Sequence, residues 1–247
     1  MNWLLIAALA AAGLMAGWGL RPVVFRLAVR PDEPQARACP ACGREVVSGR
    51  AWWPLPSPAG RCPACRARIG PPPLGIELVT AALFGGLAAW VRPGLVLAAA
   101  CWLAACAVAL AWIDAAVQRL PDVLTALAYA GTAVFLVLAA AVGGDWGDLV
   151  MAAVGGLALA AAYLVFTLVS RSALGLGDVK LAGSLGTLLA WFGWRTLIAG
   201  TVAGFLIGGL FGIGLLLAHR ATRQQRIPFG PFMIAGAFLA ILVGSAS

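Results

Sequence analysis

The sequence predicts an all-α polytopic membrane protein with about eight transmembrane helices and one small polar loop. Of its 247 residues, 62% are hydrophobic and only 11% are charged, whereas soluble domains carry about 25% charged residues. Its apolar stretches are long enough to cross a hydrocarbon core of about 30 Å. Most of the basic residues lie in a few segments between these stretches. These three observations exclude an ordinary soluble domain.

The predicted spans follow from the apolar stretches and from the Gly, Pro and polar breaks between them. The sixth is short and glycine-rich, and it ends at Trp191–Trp194, an aromatic cluster typical of a membrane interface. A tilted, a partly re-entrant and a water-surrounded helix all fit this segment. The eight spans cover residues 3–20, 74–91, 94–113, 123–142, 149–169, 179–193, 196–218 and 231–245.

The distribution of charge predicts the orientation of the spans. Of the seventeen Lys and Arg residues, only Arg92 and Arg195 fall in segments predicted to lie outside. The others lie in the predicted inner segments 21–73, 114–122, 170–178 and 219–230, or at Lys180, at the inner end of the sixth span. Because basic residues are retained on the cytoplasmic side, we expect the N-terminus to lie outside. The first span has no basic residue before it, which favours an uncleaved helix over a signal peptide.

These boundaries divide the chain into three parts. Residues 1–20 form the first transmembrane helix, residues 21–73 a cytoplasmic loop, and residues 74–247 a seven-helix membrane core. The loop is too short to bury a hydrophobic core of its own. The formal net charge of +8 follows the predicted topology, so we expect the lipid bilayer as a partner and no nucleic acid.

Two cysteine pairs in the loop predict a metal site. Cys39-Pro-Ala-Cys42 and Cys62-Pro-Ala-Cys65 are separated by nineteen residues, a spacing that fits a structural zinc ion with four thiolate ligands. The loop is therefore expected to be a zinc-stapled cytoplasmic loop. A disulfide pair and a redox site are the alternatives, and a reducing cytoplasm argues against disulfides. The two further cysteines, Cys101 and Cys106, are expected to be buried apolar residues of the third span.

Two aspartates are the candidate catalytic residues. Asp114 follows the third span, and Asp178 precedes the sixth within Gly175-Leu176-Gly177-Asp178; the predicted topology places both at the cytoplasmic face. Ionisable groups at membrane depth mark functional sites, and two carboxyl groups that share a proton are the equipment of an aspartic protease. Taken singly, Asp114 also fits an interfacial carboxylate and Asp178 a turn residue.

Other polar residues near these segments are candidate supporting residues. Lys180 follows Asp178 by two positions, and Pro121 and Asp122 begin the fourth span, where Asp122 also fits a helix cap. Glu77, near the inner end of the second span, fits either a buried functional carboxylate or a helix-start residue favoured by the dipole.

With these motifs the chain resembles the type IV prepilin peptidase family, whose members are prepilin leader peptidases and N-methyltransferases. The resemblance extends over nearly the whole chain and includes the paired cysteine motifs in a cytoplasmic loop. The remaining matching segments are Gly60-Arg61-Cys62, Pro73-Leu74-Gly75-Ile76-Glu77-Leu78, Ile113-Asp114, Leu120-Pro121-Asp122, Gly175-Leu176-Gly177-Asp178-Val179-Lys180-Leu181 and Ile227-Pro228-Phe229-Gly230-Pro231-Phe232.

The resemblance implies a multi-pass plasma membrane enzyme in which Asp114 and Asp178 catalyse peptide hydrolysis. Its substrates would be prepilins or pseudopilins of type IV pili or type II secretion. Cleavage would follow the glycine that ends a short basic leader, at the cytoplasmic face. The new N-terminal residue, usually Phe, would then be methylated with S-adenosylmethionine.

The end of the first span departs from the family pattern. Where family members usually carry Gly-Ser-Phe-x-Asn-Val, this chain has Gly17-Trp18-Gly19-Leu20-Arg21-Pro22. Arg21 thus replaces the asparagine, and a peptidase that lacks methyltransferase activity stays an alternative.

Two other classes of protein are alternatives to this interpretation. A presenilin-like protease would carry a Pro-Ala-Leu motif, and this chain contains none. A non-enzymatic transporter or scaffold would place polar residues deep inside several spans, whereas the ionisable groups here cluster at predicted helix ends.

Overall fold

The computed structural model describes residues 2–30, 33–46, 60–169, 175–218 and 228–244. In these ranges the chain forms eight α-helices and two isolated β-bridges, so the predicted all-α fold class is confirmed. The predicted connections 170–178 and 219–230 lie in part outside the described residues. The helices are α1 Trp3–Leu27, α2 Gly75–Trp90, α3 Leu95–Val117, α4 Asp122–Gly143, α5 Trp146–Val169, α6 Leu176–Trp191, α7 Trp194–Leu217 and α8 Gly230–Gly244.

Helix length and composition support a protein that crosses the membrane several times. Within the described residues, α1, α3, α4, α5 and α7 are each long and apolar enough to span a bilayer. Helices α2 and α8 are apolar but shorter, with 16 and 15 residues. Helix α6 also has 16 residues, about 24 Å at 1.5 Å per residue. The chain is therefore a multi-pass membrane protein in which some helices lie inside the bundle.

Helix α1 extends beyond the predicted end of the first span. It continues through Pro22 to Leu27, seven residues past position 20. Proline normally disfavours a helix interior because it lacks an N–H group. Here Arg21, Val24 and Phe25 are all buried, so packing outweighs the local cost at Pro22 and carries the helix to the edge of the cysteine-containing loop.

Helix α3 lies at the centre of the bundle. It packs against α1, α2, α4, α6 and α8, and its buried face includes a nearly continuous run of small and apolar residues from Ala99 to Leu110. The largest interfaces join consecutive helices in the pairs α1–α2, α3–α4, α5–α6 and α7–α8. A short connection between consecutive helices favours antiparallel neighbours. This arrangement brings the end of α3 close to the beginnings of α6 and α8.

Helix α6 is continuous and surrounded by protein. Every residue from Leu181 to Ala190 is buried, mostly against α5 and α4. Small residues permit this close approach: a Cβ atom on Gly156 would lie 2.1 Å from Thr187 Oγ1. Of the three alternatives for the sixth span, a water-surrounded segment does not describe this helix. Its small residues serve helix packing, as is common in lipid.

Candidate active site and candidate metal centre

Asp114 lies in the last turn of α3, which extends four residues beyond the predicted end of the third span. Gln118 ends the helix in the left-handed conformation, and its N–H donates to the Asp114 carbonyl at 2.8 Å. The Asp114 residue is only 5% exposed. Its Oδ2 accepts a hydrogen bond of 3.0 Å from the backbone N–H of Gly230, the first residue of α8. The start of α8 thereby orients this carboxyl group.

Asp178 lies in the first turn of α6 and is 8% exposed. Its Oδ2 accepts a 2.9 Å hydrogen bond from the Gly175 N–H, and the Asp178 N–H donates to the Gly175 carbonyl at 3.0 Å. An acidic residue at this position satisfies a free donor at the helix start and interacts favourably with the helix dipole. Gly175 therefore holds the second carboxyl group as Gly230 holds the first.

The structure brings the two predicted catalytic residues together. Asp114 and Asp178 lie close enough to interact electrostatically, because α3 and α6 are in contact. Gly177 makes a close approach to the α3–α4 connection, since a Cβ atom there would lie 2.8 Å from Leu120 Cβ. The site is thus a junction of three helix ends that supplies two buried carboxyl groups, each held through one oxygen. Two such groups beside one water molecule are able to perform acid–base chemistry.

The supporting residues predicted from the sequence fall into two separate places. Lys180 and Asp122 form an ion pair of 2.6 Å, in which both side chains are more than half exposed. Pro121 is the N-cap residue of α4, and its carbonyl accepts from the N–H of Thr125 at 3.1 Å. Asp122 is therefore a first-turn residue whose carboxylate pairs with Lys180. This exposed pair links the starts of α4 and α6 at the rim of the site.

Glu77 is a buried carboxylate whose partner is Arg21. The Arg21 guanidinium forms an ion pair with Glu77, with a hydrogen bond of 2.9 Å from Nη2 to Oε2. Its nitrogens also donate to the carbonyl oxygens of Pro71, at 3.2 Å, and Pro72, at 2.9 Å. Glu77 belongs to a junction of α1, α2 and the end of the loop.

The four loop cysteines form a candidate metal centre. Their Sγ atoms all lie within 4.8 Å of one another, and Cys39–Cys65 and Cys42–Cys62 are each 3.7 Å apart. Tetrahedral Zn–S bonds of about 2.3 Å require sulfur atoms about 3.8 Å apart, so the donor set fits a metal ion. The N–H groups of Cys65 and Ala64 lower the pKa of the Cys62 thiol to about 6, whereas burial and the three neighbouring thiols raise the pKa of Cys65, so Cys62 is the thiol of this pair that forms the thiolate first.

The two cysteine motifs have the same backbone geometry. In the first, the Cys39 N–H donates to the Arg44 carbonyl; in the second, the Cys62 N–H donates to the Ala67 carbonyl, and both bonds measure 2.8 Å. Cys39 and Cys62 are buried in a small cluster with Ile69 and with Phe25 of α1. The extended end of α1 thus supplies an apolar contact to the described part of the loop. Cys101 and Cys106 are buried in α3, as predicted.

Sequence comparisons identify relatives of this chain. It is 34% identical over 215 residues to a prepilin leader peptidase/N-methyltransferase of Aeromonas salmonicida (strain A449), which covers 84% of this chain and 71% of the relative. The protein of the same name from Pseudomonas aeruginosa is 32% identical over 275 residues, 94% of this chain and 88% of the relative. The sequence model of the Type IV leader peptidase family matches residues 100–213. The chain belongs to the type IV leader peptidase family.

The segment matched by the type IV leader peptidase model includes Asp114, Asp178 and the whole of α6. The cysteine cluster and the Arg21–Glu77 pair precede it. A Pseudomonas putida protein of the same name is 33% identical over 224 residues, 85% of this chain and 72% of the relative. No solved structure matches the chain.

The sequence does not reveal the positions of two residues near this site. Gly230 belongs to a segment that carries the family resemblance, but its hydrogen bond to Asp114 joins residues 116 positions apart. Tyr163 of α5 packs beside Phe229, the residue before Gly230, with their ring centroids 6.3 Å apart. It is one of two tyrosines in the chain, and a tyrosine within an apolar helix was the one available signal.

Proposed function

We propose that this protein is a membrane aspartyl endopeptidase that removes the basic leader of type IV prepilins or pseudopilins. The observation that carries this proposal is the junction at which Asp114 and Asp178 lie close together, buried, and each oriented by a backbone N–H. The names of the relatives support the substrate class. Cleavage would follow the glycine at the end of the leader.

In this mechanism the two carboxyl groups share one proton. The ionised member takes a proton from a water molecule, which attacks the scissile carbonyl carbon, while the protonated member donates to the carbonyl oxygen. As the peptide bond breaks, the carboxyl group that took the proton from water gives it to the leaving amine, and the other recovers a proton from the tetrahedral intermediate, so the pair again holds one shared proton. Because Gly175 and Gly230 each hold one oxygen, the other oxygen of each carboxyl group is available to the water or the carbonyl. The two groups titrate as a pair, and we assign the shared proton to the pair.

We place the active site at the cytoplasmic face of the plasma membrane, with the N-terminus outside. The positive-inside distribution of Lys and Arg supports this orientation. The division into a first helix, a loop at 21–73 and a seven-helix core belongs to the same proposal, with α1 reaching into the loop at Leu27. A cysteine introduced at the exposed outer residue Asp145 should react with a membrane-impermeant maleimide in intact cells, and failure to react would contradict this orientation.

The four-cysteine cluster is proposed to bind zinc. Cys39, Cys42, Cys62 and Cys65 would fill the tetrahedral shell of the ion and leave no position for a substrate. Such an ion ties two parts of the loop together against Phe25. Its role is structural, and the chemistry of cleavage does not pass through it.

The relatives are also named for N-methyltransferase activity, for which S-adenosylmethionine is the expected methyl donor. In the described α1–α2 region the buried carboxylate is Glu77, and Arg21 engages it. This pair is poorly suited to bind the positively charged methyl donor, because the guanidinium of Arg21 already neutralises the Glu77 carboxylate. We therefore derive no step through that cofactor, and peptidase activity without methylation is the alternative that this pair favours.

One experiment tests both activities. The N-terminus of a co-expressed prepilin is measured by mass spectrometry with the wild type, Asp114→Asn and Asp178→Asn, and with Asp145→Asn as an exposed control. We expect cleavage with the wild type and the control and none with the other two variants. Retained cleavage in either Asp114→Asn or Asp178→Asn would contradict the proposed pair. A mass gain of one methyl group on the cleaved product would establish the second activity.

A further inference from the structure

Asp122 and Lys180 form the exposed ion pair at the rim of the site, with 2.6 Å between Asp122 Oδ1 and Lys180 Nζ. Lys180 follows Asp178 by two residues on α6, about 3 Å along the helix axis. Asp122 begins α4, just after the connection whose Leu120 lies against Gly177. The pair therefore lies at the same helix start as the catalytic residue Asp178.

This ion pair faces water, unlike the pair that Arg21 forms with Glu77. The side chains of Lys180 and Asp122 are 51% and 76% exposed, whereas those of Arg21 and Glu77 are 1% and 6% exposed. An exposed ion pair adds little to stability, because water and salt screen it and two flexible side chains must be ordered. The pair therefore joins the starts of α4 and α6 only weakly, and Asp122 can exchange Lys180 for another cation at little cost.

Asp122 supplies an exposed negative charge at this junction of helix ends. Helix α4 has 22 residues, about 33 Å at 1.5 Å per residue, and separates Asp122 from the acidic residues at its other end. Arg119, on the same connection, contacts the loop, where its Nη1 donates to the Arg30 carbonyl at 3.3 Å. In the described part of the chain, the other exposed carboxylates are Glu33 and Glu45 in the loop and Asp145 beyond the far end of α4.

A basic leader would leave the catalytic pair along this rim. Charged side chains are costly to bury among apolar helices, and α6 is buried at every position from Leu181 to Ala190. We therefore expect the leader of a bound substrate on the exposed side of the α6 start. Three residues of extended chain span about 10 Å, so a basic side chain within three residues of the scissile bond is long enough to contact this rim.

We propose that Asp122 is a specificity-determining residue that binds a basic side chain of the leader, close to the scissile bond, in exchange for Lys180. This inference rests on the proposed function. The leader cation takes the place of the Lys180 ammonium beside the Asp122 carboxylate, so one ion pair replaces another. Lys180 occupies the carboxylate in the free protein and competes with the leader. The two residues of one ion pair thus have opposite effects on recognition of a basic leader.

The test uses the purified full-length protein in lipid nanodiscs and two prepilins that differ only in the three leader residues before the final glycine, which are Lys in one and Gln in the other. The measured quantity is the ratio of kcat/KM for the Lys leader to that for the Gln leader. The variants are Asp122→Asn, which removes the negative charge, and Lys180→Gln, which removes its competitor. Asp145→Asn is the matched control, because it removes an exposed carboxylate at the other end of α4.

The wild type should prefer the Lys leader at low salt. Asp122→Asn should lower the Lys/Gln ratio roughly three- to fivefold, mainly through KM, whereas Lys180→Gln should raise it. Asp145→Asn should retain the wild-type ratio. At about 1 M salt, the ratios of the wild type and Asp122→Asn should converge, since salt screens exposed charges.

The opposite signs of the two effects make the exchange testable. An unchanged ratio in Asp122→Asn would exclude leader recognition by this residue, and an unchanged ratio in Lys180→Gln would exclude the exchange. A change in the same direction in both variants would mean that the pair acts only by joining α4 to α6, which would also overturn the proposal. Failure of the wild type to cleave either prepilin would instead refute the proposed function, and this inference with it.

Discussion

Arg21 and Glu77 form an ion pair between α1 and α2 in which both side chains are almost completely buried. The same guanidinium donates to the carbonyl oxygens of Pro71 and Pro72. One cation therefore joins two helices and the end of the cysteine-containing loop. A buried charge is tolerated only when it is paired and hydrogen-bonded, and Arg21 meets both conditions.

Arg21→Ala is expected to destabilise the protein by about 3–5 kcal/mol, because it leaves the Glu77 carboxylate buried without its partner. Glu77→Gln should also destabilise the protein, since it leaves the Arg21 charge uncompensated. The thermal unfolding temperature in detergent measures the stability of both variants. The control is Arg195→Ala, which removes an exposed arginine at the start of α7. Equal unfolding temperatures for Arg21→Ala and Arg195→Ala would refute this account of the pair.

Gly230→Ala is expected to lower cleavage by roughly 100-fold, the effect of misplacing a reacting group by about 1 Å. A Cβ atom at this position would lie 2.8 Å from Asp114 Oδ2, so either the carboxyl group or the start of α8 must move. The rate of prepilin cleavage by purified protein measures the effect. Gly209→Ala is the matched control, because a Cβ atom there meets nothing within 4 Å. If the two variants cleave equally fast, the close approach at Gly230 does not orient Asp114.

Gly177→Ala tests the contact between the start of α6 and the α3–α4 connection. The new methyl group would lie 2.8 Å from Leu120 Cβ, and the displaced helix start would carry Asp178 with it. We expect at least a tenfold loss of kcat/KM, on the same reasoning as for Gly230. Adding Leu120→Ala removes only the outer part of that side chain, so it should restore part of the activity by allowing the connection to adjust. If the losses of kcat/KM caused by the two substitutions are additive in the double variant, Gly177 and Leu120 do not act through a shared contact.

Cys42→Ser is expected to remove the bound metal, because it replaces one of four thiolates with a weak ligand. Metal content per purified protein, measured by inductively coupled plasma mass spectrometry, should fall close to zero. Cys101→Ser is the control, since Cys101 is buried in α3 and does not belong to the cluster. The loop should become more sensitive to protease, with a smaller effect on prepilin cleavage, because Asp114 and Asp178 are held by helices. Unchanged metal content in Cys42→Ser would exclude the four-cysteine site.

Much of the architecture was predictable because it depends on local sequence. The apolar stretches predict eight helices, and the structure has eight in the described residues. The predicted ends of the helices agree less well with the structure. Helix α1 passes through Pro22, and α3 includes Asp114, because tertiary contacts to buried residues outweigh the local signals for a helix end. The family was recognised from motifs, and the comparisons confirm it.

The sequence alone determined the number of helices, the set of four loop cysteines and the two candidate aspartates, since each depends on residue type and spacing along the chain. Only the tertiary structure decided the long-range contacts of the polar residues: Gly230 donates to Asp114, Arg21 pairs with Glu77, and Tyr163 packs beside Phe229. The physical reason is that lipid is as apolar as the helix interfaces, so hydrophobicity does not show which face of a membrane helix is buried. That choice rests on close packing at small residues and on a few long-range polar contacts.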